Sequence, residues 1–191
     1  MHTKKFGGLG ILDLDVSSRE LRLRWLWYLW TEPDRPWVGS EPPVDAIDKQ
    51  LFRSSTVVTV ENGETATFWQ SSWLNGQAPI DRYPELYKWA WRKNRTLKEE
   101  LHNQSWTRGL WRMQTVDEMA SFVELWDAVQ EVQLAEEQNK ITWRWTTDGV
   151  YSVKSAYNLQ FQGSFSTFRS DNIWKAEIFC LAAGAVQDFD S

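Results

Sequence analysis

Between Arg82 and Arg112 the chain carries Arg82, Lys88, Arg92, Lys93, Arg95, Lys98, Arg108 and Arg112. Only Glu85, Glu99 and Glu100 oppose them, so eight basic residues face three acidic ones. Trp89, Trp91, Trp106 and Trp111 are interleaved. Cations beside flat aromatic faces suit single-stranded nucleic acid, where phosphates meet the charges and bases stack on the rings. Lys88, Trp89, Trp91, Arg92, Lys93 and Arg95 form the tightest cluster and are the candidate binding residues. The following stretch, 113–140, reverses the balance: Asp117, Glu118, Glu124, Asp127, Glu131, Glu136 and Glu137 stand against Lys140. The competing reading is that the two stretches pair and the tryptophans fill a core. The burial preference of aromatic side chains favours that reading.

Other chemistry finds little to work with. Two-metal phosphoryl transfer needs paired carboxylates, and no Asp-Asp pair occurs in the sequence. A structural zinc needs four ligands, mostly Cys or His at close spacing. Only Cys180, His2 and His102 are of those types, with no pair at motif spacing. Cys180 lies in an apolar run and reads as inert packing. His102 follows Leu101 at an expected helix end and reads as a surface residue. Gly7-Gly8-Leu9-Gly10 has neither the strand–loop–helix context nor the Lys-Ser/Thr ending of a phosphate loop, and reads as a turn. No catalytic residue, metal or cofactor is expected.

The elements that must position the basic cluster belong to a chain of 191 residues, one domain or two small ones. With 42% hydrophobic and 25% charged residues, the composition is that of a folded domain. Fourteen tryptophans point to a Trp-rich core. The net charge of −5 opposes phosphate binding except at a local patch. One cysteine allows no internal disulfide, as fits an intracellular protein. No apolar run is long enough to span a membrane, and the first residues carry no signal-peptide core.

Helices are expected over Val16–Trp30, with Ser17 and Glu20 as capping box, and after Pro42-Pro43, with Val44, Ile47 and Leu51 on one face. Thr96 with Glu99 and Thr115 with Glu118 repeat the capping-box spacing. The second of these opens a helix with Met119, Phe122, Val123, Trp126 and Val129 on its apolar face. Ser152 caps a last helix containing Ala156, Tyr157 and Leu159. Two β-hairpins are expected. In the first, Asn62-Gly63 joins 56–60 to 65–69; in the second, Ile141, Trp143 and Trp145 alternate with polar residues before an Asp148-Gly149 turn. The order reads as an α+β fold of short helices with two hairpins.

These segments also carry a resemblance. Phe6-Gly7-Gly8-Leu9-Gly10-Ile11, Arg24-Trp25-Leu26-Trp27, Asn62-Gly63, Thr67-Phe68-Trp69, Trp73-Leu74 and Pro84-Glu85-Leu86-Tyr87 resemble, in that order, the region after the polymerase domain of plant LINE-type (non-LTR) retrotransposon reverse transcriptases. Ile141-Thr142-Trp143 and Asp148-Gly149-Val150-Tyr151-Ser152-Val153-Lys154-Ser155-Ala156-Tyr157 resemble the start of that family's reverse-transcriptase zinc-binding domain, and Ile173-Trp174-Lys175 its continuation. The family carries an Asp between the two Trp residues of its Phe-Trp…Trp motif, where Ser71 stands here. The likeness stops near Ala176, short of the family's Cys/His cluster.

The resemblance implies a post-polymerase region over 1–112, the start of a zinc-binding-type domain over 113–176, and an unmatched tail over 177–191. It also implies a nuclear or cytoplasmic location. The expectation is a truncated retroelement remnant, an incomplete domain with no polymerase activity of its own. The alternatives are a weak single-stranded RNA- or DNA-binding module and a Trp-rich protein-interaction module. Self-association is expected if the Trp25–Trp30 helix and Ile173-Trp174 lose their cover.

Overall fold

The computed structural model describes residues 14–36, 43–108 and 110–161. The Gly7–Gly10 turn, His2, Ile173-Trp174, Cys180 and the 177–191 tail lie outside the described residues. The fold is α+β, with helices outweighing a two-stranded sheet.

Helix α1 runs Leu14–Thr31. It starts before Ser17, so the expected Ser17 cap is corrected: Ser17 is interior, and its Oγ is buried without a partner. Helix α2, Ala46–Ser55, has Asp45 and Asp48 as a reciprocal capping box. Its buried side is Asp48, Leu51, Phe52 and Ser55, while Ile47 is exposed, against expectation. The carboxylate of Asp48 is fully buried and pairs with Arg19 and Arg22 of α1. That ion pair fixes α2 across α1.

Strand β1, Thr56–Thr59, does not form a hairpin with 65–69. It pairs antiparallel with strand β2, Lys140–Trp143, in the register Thr56↔Trp143 and Val58↔Ile141. The first expected hairpin is therefore corrected. Gly63 takes φ +67, but Asn62 is not among the positive-φ residues, as a type I′ turn would require. The 61–63 loop instead docks on Asn139, whose Oδ1 accepts from the backbone N–H of Glu61 at 2.8 Å and of Gly63 at 3.0 Å. The second hairpin is corrected as well. Asp148-Gly149 does form a turn, and Trp143 N donates to Gly149 O at 2.7 Å, but β2 ends at Trp143 and finds its partner strand in β1.

Helices α3 (Pro79–Arg82) and α4 (Pro84–Trp89) each begin with a proline, where the missing N–H costs nothing. Helix α5 (Leu97–Leu101) runs into a 3₁₀ segment, His102–Thr107, across a kink at Asn103 and Gln104. Helix α6 (Val116–Gln130) buries Leu125 and Val129 and half-buries Phe122 and Trp126. Met119 and Val123, expected on the apolar face, are exposed. Helix α7 (Val153–Phe161) is capped by Ser152, whose Oγ accepts from Ser155 N at 3.1 Å.

Two apolar clusters result. One gathers Phe68, Trp69, Trp73, Leu86, Leu97, Trp106, Leu110, Leu125 and Val129, and so runs across position 112. The other gathers Leu23, Trp27, Leu51, Phe52, Trp143 and Ala156. Ile141 and Trp30 touch both. The Trp25–Trp30 stretch is not bare: Trp27 is buried and the rest half-buried, with α2 and α7 packed on α1. Ser71 holds the turn after Thr67, its Oγ accepting from Thr67 N at 2.9 Å.

Candidate nucleic-acid interface

The candidate residues sit on the end of α4 and the loop that follows it. Both ends of this loop are tied down. At the start, Ala90 is buried and its N–H closes α4 onto Leu86 O at 3.1 Å. At the far end, Phe68 N donates to Arg95 O at 3.0 Å and Leu97 N to Ala66 O at 2.6 Å. Thr96 and Glu99 then form the capping box that starts α5. A short loop with fixed ends leaves its middle residues outward, and Trp91 is 67% exposed.

Around Trp91 the cations are ordered by rings. The Arg92 guanidinium lies 5.2 Å from the Trp91 ring centroid, and Lys93 Nζ lies 4.5 Å from that of Tyr87. Lys88 and Arg92 are exposed; Lys93 and Arg95 are half-buried. Arg95 pairs with Glu99 at 3.1 Å, an exposed i,i+4 contact of little energetic weight. Trp91 thus presents an indole face with Lys88, Arg92 and Lys93 nearby in the chain, an arrangement able to stack a base and meet its phosphates.

Trp89 stands apart from this group. It is half-buried, and its Nε1 donates to Glu118 Oε1 at 2.9 Å. Nearby, Tyr83 Oη donates to Glu124 at 3.2 Å and Arg82 lies 3.8 Å from it. Pairing between the basic and acidic stretches is therefore real at the α4–α6 contact and does not extend to Trp91 and Arg92. Trp106 is core, 2% exposed, with Phe68 stacked at 5.5 Å.

Glu118 anchors the contact electrostatically. The Trp89 indole N–H, then the backbone N–H groups of Gln114 and Thr115, pull its pKa down to about 2. Glu100 is the opposite case. It is 2% exposed, and burial pushes its carboxyl up, against a hydrogen bond from Ser105 and the charges of Arg95 and Arg92. Its Oε2 receives Ser105 Oγ at 3.1 Å, while Oε1 is buried without a partner. By composition Glu100 is only one of three acids in the basic 82–112 stretch. A local signal existed: Leu97, Glu100 and Leu101 share one helical face.

Among the described residues no group of three His, Cys, Asp or Glu side chains could hold a metal ion, and His102 is exposed. Among them, too, no helix is long and apolar enough to cross a membrane. Compared with protein-family models, curated proteins and solved structures, the chain matches none.

Proposed function

We propose that the chain is a non-catalytic accessory region of LINE-type reverse-transcriptase ancestry, whose own capacity is weak binding of single-stranded nucleic acid at Trp91 and Arg92. The ancestry rests on the order and spacing of the short motifs from Phe6 to Lys175. The binding capacity rests on one observation: Trp91 is 67% exposed, with the Arg92 guanidinium beside its ring. Aromatic side chains of that size are usually covered in a folded domain.

The test is electrophoretic mobility shift with single-stranded RNA across a salt series. Affinity is expected to be micromolar or poorer, falling with a log–log slope of about −0.7 per phosphate contacted. Reversing charge at Arg92, Lys93 and Arg95 together is expected to abolish binding with the fold intact. Unchanged affinity in that variant eliminates the surface. Template-dependent nucleotide incorporation by the purified chain would refute the non-catalytic part.

A second reading has its own observation. Val116, Met119 and Val123 stand 81%, 51% and 54% exposed on one face of α6. An apolar stripe of this kind serves protein association.

A further inference from the structure

Helix α6 turns one side to the core and leaves the other without cover. Leu125 and Val129 are buried on the inner side. Glu118, on the same side, ties the helix to α4 through Trp89. On the outer side Val116, Met119 and Val123 stand 81%, 51% and 54% exposed. They follow one another at i, i+3 and i+7, the spacing at which one helix presents a seam to another. Half-buried Trp126 continues the seam by one step. Exposed Ala120 lies beside it and leaves room for a second backbone to come close.

The charge on this side is of one sign. Asp117, Glu124 and Glu131 are exposed and recur every seventh residue, so they run along one flank of the seam. Asp127, also exposed, stands one turn beyond Val123. Of these four, Glu124 has an ion pair among the described residues, to Arg82 at 3.8 Å. The last turn of α6 holds no basic residue, and Glu131 is its C-cap. Acids at that end lie against the helix dipole, which favours cations there. A cation brought from outside relieves both the mutual repulsion and the conflict with the dipole.

These signs choose the occupant. An anionic membrane surface or a nucleic acid would set phosphate against carboxylate. A second copy of this chain, meeting through the same face, would set acid against acid. A small polyamine would answer the charge and leave the apolar seam bare. A helix with apolar residues on one side and lysine or arginine along its flank answers both.

We propose that this face of α6 docks a cationic amphipathic helix of a partner protein. The partner's apolar residues lie along Val116, Met119 and Val123, and its cations along Asp117, Glu124 and Glu131. The proposal rests on the protein-association reading above and gives that face its partner class. Helix α6 is 15 residues long, so a partner segment of about four turns spans it.

The experiment measures fluorescence anisotropy of three labelled synthetic helical peptides, each matched to α6 in length. The first sets leucines on one side and lysines on the other. The second keeps the leucines and replaces lysine by glutamate; the third keeps the lysines and replaces leucine by glutamine. At low salt the leucine–lysine peptide is expected to bind at least about tenfold more tightly than either of the others. Its affinity should fall as salt is added. Asp117→Asn, Glu124→Gln and Glu131→Gln together should weaken it about tenfold, as should Met119→Ser with Val123→Ser. Thermal melts report whether each variant folds. The acid variant alters only exposed side chains and decides the matter where the serine variant does not fold. Equal binding of the leucine–lysine and leucine–glutamate peptides overturns the cationic partner and leaves the association reading standing. Equal binding of the lysine–glutamine peptide overturns the part of the apolar seam. Affinity for the leucine–lysine peptide that is unchanged in the folded variants overturns this face as the dock. Failure to bind either leucine peptide overturns the proposal and the association reading together.

Discussion

The indole N–H of Trp89 donates to Oε1 of Glu118 at 2.9 Å, and through that bond the last residue of α4 meets the first turn of α6. The same carboxylate, through Oε2, accepts from the backbone N–H groups of Gln114 and Thr115. Glu118 therefore caps one helix and fastens another. Its pKa, drawn down to about 2, gives the sign of the pH effect. The folded value lies below the ordinary one, so the stabilisation is complete above the ordinary carboxylate range and fades as pH falls towards about 2. Glu118→Ala should melt at lower temperature than the unaltered chain at neutral pH, and the gap should close as acid is added. A gap that stays constant from neutral pH to pH about 2 would refute this linkage. Thr115→Ala removes the reciprocal bond of the cap and should cost about 1 kcal/mol in urea unfolding.

Asp48 is the most exposed to loss among the buried charges. Its carboxylate is fully buried and meets Arg19 at 3.3 Å, Arg22, and the backbone N–H of Asp45 at 3.1 Å. Removing the acid takes away the carboxylate that ties Arg19 and Arg22 of α1 to α2. Asp48→Ala should therefore destabilise by about 3 kcal/mol, the low end for breaking a buried pair. A loss below about 1 kcal/mol in chemical denaturation, where surface pairs fall, would show that α1 and α2 are held by apolar contact alone.

Gly63 sets the position of α5, and so of Glu100. Its φ is +67, and a Cβ there would lie 2.9 Å from Lys98 N and 3.1 Å from a Leu134 methyl. Lys98 N donates to Gly63 O at 2.9 Å. Gly63→Ala combines an unfavourable backbone conformation with a clash against backbone, and should destabilise by about 1–3 kcal/mol. A melting temperature equal to that of the unaltered chain would mean the loop can move away from α5 freely.

The contrast between these two glycine and capping sites explains what was legible in the sequence. Thr96–Glu99 and Thr115–Glu118 are local: the side chain and the N–H it satisfies lie three residues apart, so spacing alone places them. The Asn62-Gly63 pair is also local, yet its conformation is decided by Asn139, 78 positions from Glu61. The β1–β2 pairing is likewise set by distant partners, since Thr56 faces Trp143 from far along the chain. At the candidate site, the charge and aromatic pattern found Trp91 and Arg92. Pattern could not tell that Trp89 would spend its N–H on Glu118, nor that Glu100 would face inward beside Trp106.

The α6 stripe carries a prediction opposite in sign to nucleic-acid binding. Val116, Met119 and Val123 are exposed beside the exposed acids Asp117, Glu124 and Asp127. Two copies meeting through this face would bring like charges together. Self-association should then strengthen as salt is added, because screening relieves the repulsion. Met119→Lys with Val123→Lys should return the protein to monomer in sedimentation equilibrium without loss of stability. Association that weakens with salt would assign the contact to ion pairs elsewhere.

Trp91 and Trp89 together separate a binding surface from a structural one. Trp91 is 67% exposed, with Arg92 beside its ring. Only about a third of its surface is covered, so truncating it to alanine should lower the melting temperature only slightly. If a base stacks on it, the same change should weaken RNA binding by about 1–3 kcal/mol. Trp89 is half-buried and fastened to Glu118. Trp89→Phe should lower stability, by losing a hydrogen bond worth about 1 kcal/mol or somewhat more to a charged partner, and leave RNA affinity unchanged. The two substitutions thus differ in kind: one moves mainly binding, the other stability alone. Equal loss of binding in both would mean that the α4–α6 contact, and not the Trp91 face, carries the strand.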